Sequence, residues 1–77
     1  MANLFGILVF HHDEIDDETV RFEDIGTMEL FLRQALKAGT DVNTITGYVP
    51  DEASALRLQD AAREISGLRP PMYDING

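Results

Sequence analysis

The pattern of apolar and polar residues in the first third of the chain predicts a β-hairpin. Residues 3–10, N-L-F-G-I-L-V-F, form a nearly continuous apolar run, which is typical of a central strand. Residues 19–24, T-V-R-F-E-D, alternate, with Val20 and Phe22 pointing to the same side. Such alternation predicts a strand with one face in solvent. Residues 11–18 would form the loop, which is longer than the roughly two to five residues usual in hairpins.

A helical period follows in residues 26–39, G-T-M-E-L-F-L-R-Q-A-L-K-A-G. Thr27 is the predicted N-cap and Gly39 the predicted residue just after the helix. Apolar residues recur at the spacing that places them on one helix face. The predicted buried face consists of Met28, Phe31, Leu32, Ala35 and Leu36.

A third strand and a second helix complete the predicted elements. Residues 43–49, N-T-I-T-G-Y-V, read as a strand that Pro50 ends. Asp51 is the predicted cap of a helix that runs to about Ile65 and is closed by Gly67. The predicted buried stripe of this helix is Ala55, Leu58, Ala61, Ala62 and Ile65.

The element order ββαβα predicts an α+β two-layer sandwich over a single domain, residues 1–77. The first strand is the most apolar, so we expect a three-stranded antiparallel sheet in the order 2-1-3, with both helices on one face. The C-terminal tail, residues 68–77, contains a Pro pair and three large apolar residues. We expect it to pack against the domain or to become ordered on a partner.

A sheet covered on one side leaves one set of first-strand side chains uncovered. This set is either Leu4, Leu8 and Phe10 or Phe5, Ile7 and Val9, with Arg21, Glu23, Thr44, Thr46 and Tyr48 around it. An apolar stripe with a polar rim is what a partner or a second subunit would cover. The alternative is that the tail folds over it.

Two leucines fall outside the predicted helix stripes. Leu30 lies beside Arg33 and Lys37, and Leu56 lies off the apolar face of the second helix. Single exposed leucines are common in proteins without a binding role. Together with Tyr48, they are candidates for a secondary contact with a partner.

Composition narrows the class of protein. The 77 residues include no cysteine, which excludes disulfides, thiolate zinc sites and cysteine nucleophiles and fits a reducing compartment. The apolar start has no basic leader and is far shorter than the ~20 residues of a membrane-spanning helix. We therefore expect a cytoplasmic protein with no membrane contact.

Charge is the most informative property of the composition. The net charge is −8, which argues against direct nucleic-acid binding because that binding depends on Lys and Arg neutralising phosphates. The charge is also uneven, since residues 1–26 hold seven acids and one Arg, a net of −6. Residues 27–77 hold seven acids and five bases, a net of −2. One short region therefore carries most of the negative field.

The centre of that region is residues 11–18, H-H-D-E-I-D-D-E, here called the acidic octet. Adjacent His11 and His12 would point to opposite faces of a strand, and no third histidine exists. A calcium loop starting at Asp13 fails because Glu18 stands where Gly is required. No phosphate-cradling loop or nucleophile–base spacing is present. The sequence predicts no metal site, no cofactor and no catalytic activity.

Two explanations of the acidic octet remain open. It is either a solvated turn that keeps a small domain soluble or a surface that steers a basic partner. In size, charge and lack of an active site the chain resembles phage-encoded anti-CRISPR and anti-restriction inhibitors, which implies nucleic-acid mimicry on a basic, nucleic-acid-handling protein. The predicted partner-binding residues are Asp13, Glu14, Asp16, Asp17, Glu18, Glu23 and Asp24. The alternative function is a structural or adaptor domain that forms a homodimer or larger homo-oligomer through its apolar sheet face.

Overall fold

The computed structural model describes residues 3–77, which form one sheet and two α-helices. In chain order the elements are β1 (Gly6–Phe10), β2 (Glu18–Phe22), α1 (Ile25–Lys37), β3 (Ile45–Val49), α2 (Glu52–Ser66) and β4 (Met72–Asp74). The first two residues of the predicted domain 1–77 lie outside the described residues. The predicted third strand was too long at its start, because Val42–Thr44 forms a 3-10 turn that leads into β3.

The sheet has the strand order β2-β1-β3-β4. Strand β1 pairs antiparallel with both β2 and β3, and Leu8 lies opposite Val20 on one side and Gly47 on the other. The central position of the first strand and the antiparallel order 2-1-3 are therefore confirmed for these three strands.

The three-stranded antiparallel sheet was nevertheless wrong as a whole, because the tail adds a fourth strand that makes the sheet mixed. Strand β4 pairs parallel with β3, so that Tyr73 lies beside Tyr48. The Gly47 N–H donates to Pro71 O at 2.9 Å, and the Ile75 N–H donates to Val49 O at 3.0 Å. Parallel neighbours need a long crossover connection, which α2 supplies here.

Contacts with α2 hold the tail in place before it reaches the sheet. Gln59 Nε2 donates to Pro70 O at 3.0 Å, and Arg69 Nη2 lies 2.9 Å from Asp60 Oδ1. The side chain of Pro70 is fully buried. The tail therefore packs on the domain and extends the sheet edge instead of folding across the uncovered face.

Both helices cover the same face of the sheet. Helix α1 contacts β1 and β2, helix α2 contacts β3 and β4, and the two helices contact each other. They meet one continuous core, which contains Leu8, Phe10, Phe22, Met28, Leu32, Leu36, Val42, Ile45, Val49, Leu58 and Ala62. Burial of each large apolar side chain contributes about 1.5–3 kcal/mol, which makes this core the main source of stability.

Alternation along β1 decides which side chains face away from the helices. Leu8 and Phe10 are buried in the core, whereas Ile7 and Val9 point to the other face and remain partly exposed. The predicted alternation stops before Gly6, because Phe5 packs against the core and Leu4 is 49% exposed. From β1 the uncovered face therefore receives Ile7 and Val9, not either predicted set of three.

The ends of the helices follow the capping signals in the sequence, except at the N-terminus of α1. Asp51 caps α2 by accepting a hydrogen bond from the Ser54 N–H at 2.7 Å. Gly67 ends this helix in the left-handed region at φ 80°, where a side chain would be strained. Gly39 follows α1 with φ 104°. The predicted cap of α2 and both closing glycines are confirmed.

Two glycines in the sheet differ in what surrounds them, and this difference predicts different costs of substitution. In Gly6→Ala the new Cβ would lie 2.9 Å from the backbone oxygen of Tyr48 and 2.7 Å from Met28 Sδ. In Gly47→Ala it would collide chiefly with the flexible thioether end of Met72. We expect Gly6→Ala to lower the free energy of unfolding by about 1–3 kcal/mol and Gly47→Ala by less. Urea denaturation of both variants tests this, and the reverse order would contradict the packing described.

Candidate functional site

The acidic octet connects β1 to β2 at one end of the sheet. Residues 11–17 form the loop, and Glu18 is the first residue of β2. Every residue of the octet is exposed. The predicted hairpin loop is confirmed, and it presents its carboxylates to solvent.

His11 fixes the base of this loop to the sheet. Its Nδ1 lies 2.9 Å from Asp17 Oδ2, and its Nε2 lies 2.9 Å from Thr46 Oγ1 on β3. An ionised carboxylate can only accept, so Nδ1 carries the proton, and in the neutral ring Nε2 accepts from the threonine hydroxyl. The histidine thereby joins the acidic octet to the neighbouring strand.

His12 contacts a different carboxylate, with its Nε2 3.8 Å from Glu18 Oε1. The two adjacent histidines thus turn to different acids and do not converge on a common point. Among residues 3–77, no three side chains of His, Asp or Glu are grouped so that they would hold a metal ion.

Three carboxylates of the octet have no partner in the described chain. Asp13, Glu14 and Asp16 make no side-chain hydrogen bond or ion pair with any of residues 3–77. Within the described chain, Asp17 and Glu18 contact the two histidines, and no Lys or Arg forms an ion pair with any carboxylate of the octet. The octet is therefore a concentrated and unneutralised negative surface.

Two arginine side chains instead form ion pairs with carboxylates on the outer surface of the two helices. Arg57 Nε lies 2.7 Å from Glu29 Oε1, Arg33 Nε lies 3.2 Å from Glu29 Oε2, and Arg33 Nη1 lies 2.9 Å from Glu64 Oε2. The hydrogen bond from Arg57, followed by that from Arg33, lowers the pKa of Glu29 below its usual value. The Arg57–Glu29 and Arg33–Glu64 pairs connect α1 to α2, and neither arginine forms an ion pair with the acidic octet.

Asp24 has the structural role that was predicted for Thr27. The predicted N-cap of α1, Thr27, was wrong: Asp24 is the cap and accepts from the Thr27 N–H at 2.7 Å and from its hydroxyl at 3.1 Å. These two hydrogen bonds lower the pKa of the Asp24 carboxyl. Glu23, its neighbour, is exposed just after β2.

The three predicted secondary contacts do not form one surface. Leu30 and Leu56 are exposed on the helix layer, at 56% and 44% respectively. Tyr48 lies on the opposite side of the sheet, where its ring centroid is 5.9 Å from that of Tyr73. A single partner surface would not reach all three together with the acidic octet.

A cleft of about 420 Å³ opens between the acidic octet and α1. It is lined on one side by Asp13 and Glu18 and on the other by Phe31 and Ala35. No local sequence pattern predicted this cleft, which contains the exposed part of Phe31. This residue was predicted to be buried, but it is 38% exposed because it lies at the rim of the helix face above the end of β1.

Comparison with protein-family models, with curated proteins and with solved structures finds no match for this chain. Neither helix among residues 3–77 is long and apolar enough to cross a membrane.

Substitutions of Asp24 test its role as the N-cap of α1. We expect Asp24→Ala to lower the melting temperature by roughly 4 °C, because α1 loses its N-cap acceptor. Asp24→Asn retains an acceptor and should stay close to the unsubstituted protein. Because the pKa of Asp24 is lower in the folded protein than in the unfolded chain, the ionised cap adds stability above the unfolded pKa. That added stability is lost as the pH falls through the folded-state pKa. Melting temperatures of the three proteins, measured from neutral to acid pH, test both the capping role and its pH dependence. Equal losses of melting temperature in Asp24→Ala and Asp24→Asn would contradict the capping role.

Proposed function

We propose that this protein is a small, cytoplasmic, non-catalytic binding protein that docks on the basic surface of a nucleic-acid-handling protein and inhibits it. The observation that supports this function best is the set of unpartnered carboxylates in the acidic octet. Its predicted contact residues are the acids of the octet together with Glu23 and Asp24.

Electrostatics favours docking over a role in solubility alone. Solubility requires net charge, which can be spread over the whole surface. Five like charges in six positions repel one another and oppose the compact state. A concentrated field, by contrast, steers a complementary basic surface and raises its rate of association.

The basic surface that fits this field best is one that normally binds nucleic acid. Duplex DNA presents a negative charge about every 1.7 Å along its axis, and proteins meet it with clustered Lys and Arg. The exposed acidic loop offers carboxylates to such a cluster, whereas Glu23 and Asp24 lie beyond the opposite end of β2. Occupying that cluster would exclude the nucleic acid and thereby inhibit the partner, as expected of a nucleic-acid mimic of the anti-CRISPR or anti-restriction type.

Neutralising the free carboxylates tests this function. In Asp13→Asn/Glu14→Gln/Asp16→Asn the field is weakened without loss of any described hydrogen bond. We expect retention of the partner to fall on the order of tenfold or more, because complementary charge is removed from the contact. The measurement is a pull-down from a nuclease-treated lysate of the source organism, with elution on a salt gradient and identification of the retained protein.

The matched control removes the same number of charges from α2, in Glu52→Gln/Asp60→Asn/Glu64→Gln. Exposed ion pairs contribute only about 0–1 kcal/mol, so this variant should remain folded and should retain the partner. Equal retention by all three proteins would contradict docking through the acidic octet. A retained protein with no nucleic-acid function would contradict the proposed class of partner.

The uncovered sheet face favours a second candidate function, a homo-oligomeric structural or adaptor domain. Ile7 and Val9 remain partly exposed between Arg21 on β2 and Tyr48 on β3, since the tail extends the sheet edge instead of covering them. An apolar centre with a polar rim is typical of an interface. Here the acidic octet would serve solubility and orientation.

Self-association through this face predicts that Val9→Asp abolishes it. For an oligomer, the sedimentation coefficient and the melting temperature should rise with protein concentration, because assembly stabilises the folded state by mass action. Val9→Asp should remove this dependence, whereas Leu30→Asp on the outside of α1 should leave it intact. A protein that stays monomeric over a roughly hundredfold range of concentration would exclude this second function.

A further inference from the structure

The cleft between the acidic octet and α1 combines an apolar floor with an acidic rim. Phe10, Phe31 and Ala35 form the floor, and the rim carries Asp13 and Glu18 together with Asp41. The volume of about 420 Å³ falls in the range of roughly 300–1,000 Å³ that is usual for ligand pockets.

The floor presents an aromatic ring in a fixed orientation. Phe31 packs against Phe22, with ring centroids 5.3 Å apart and planes at 63°, and against Phe10, at 5.9 Å and 58°. Its two aromatic neighbours hold the ring from the core side, while 38% of the residue remains exposed. A large aromatic surface is thus kept at the cleft instead of being buried in the core.

The rim supplies three carboxylate acceptors, and the two histidines of the acidic octet also line the cleft. One oxygen of Asp41 accepts from the Asn43 N–H at 2.9 Å, which orients that carboxylate, and Asp13 has no partner among residues 3–77. No Lys or Arg is among the residues that line the cleft. The cleft therefore complements a positively charged group that also has an apolar face.

We infer that this cleft receives an arginine side chain of the basic partner, with the Phe31 ring as its stacking surface and the Asp13, Glu18 and Asp41 carboxylates as hydrogen-bond acceptors. A guanidinium group is planar, stacks on aromatic rings and donates several hydrogen bonds in one plane. An ammonium group is compact and strongly hydrated, so lysine would use the rim but gain less from the floor. This inference rests on the proposed docking function and specifies the partner group that the site selects.

Arginine-rich and lysine-rich peptides of otherwise identical sequence and charge, with capped ends, test this selectivity at low ionic strength. We expect the unsubstituted protein to bind the arginine peptide about three- to tenfold more tightly, because cation–π stacking adds to the charge attraction. Phe31→Leu should abolish this preference while retaining apolar packing, and Phe31→Tyr should preserve it. Calorimetric titration gives the affinities, amide chemical shifts locate the peptide, and thermal unfolding verifies that each variant is folded.

The outcomes distinguish this inference from the function on which it rests. If Phe31→Leu retains the arginine preference, or if no preference exists, arginine stacking in the cleft is overturned. Docking through the octet still stands in that case if Asp13→Asn/Glu14→Gln/Asp16→Asn weakens both peptides. If that triple substitution changes neither affinity, or if neither peptide binds, the docking function itself fails and the inference fails with it.

Discussion

The one-sided burial of β1 determines the arrangement of the rest of the molecule. This strand lies in the middle of the sheet, and Leu8 and Phe10 point into the core that both helices cover. Because a strand alternates its side chains, burying these two residues leaves Ile7 and Val9 on the other face. The same strand ends at Phe10 against α1, so the loop that follows begins beside that helix. The uncovered sheet face, the acidic octet and the cleft are therefore all consequences of how β1 packs.

Much of this fold was accessible from local sequence patterns because local chemistry determines it. The period of Met28, Leu32 and Leu36 defines the buried face of α1, and Asp51 and Gly67 mark the ends of α2. Strand β4 was missed because three residues after a Pro pair give no strand signal of their own. That strand forms because α2 returns the chain to the free edge of β3, where Gly47 leaves room for Met72. Such a contact depends on tertiary structure and has no local signature.

The candidate site was predictable only in part, for the same reason. Charge counting identified the acidic octet, since solvation and repulsion keep five clustered acids on the surface. It did not identify His11 as the link to Thr46, because the two residues are 35 positions apart and meet only when β1 pairs with β3. The exposure of Phe31 was also not predicted. Helical periodicity assigns a residue to one face of the helix, but it does not show where the sheet that packs against this face ends. Sequence therefore located the charge, and packing supplied the concave surface beside it.

The distribution of charge also connects stability to binding. Arg33 and Arg57 form ion pairs with Glu29 on the helix layer, whereas Asp13, Glu14 and Asp16 form no ion pair within the described chain. Repulsion among the octet carboxylates opposes folding in the free protein, and the apolar core must offset it. A basic group bound at the octet would relieve that repulsion and would bind only the folded arrangement of loop, strand and helix. Binding of such a group must then stabilise the fold by mass action. On the proposed docking function, binding would thus offset a repulsion that the free domain carries.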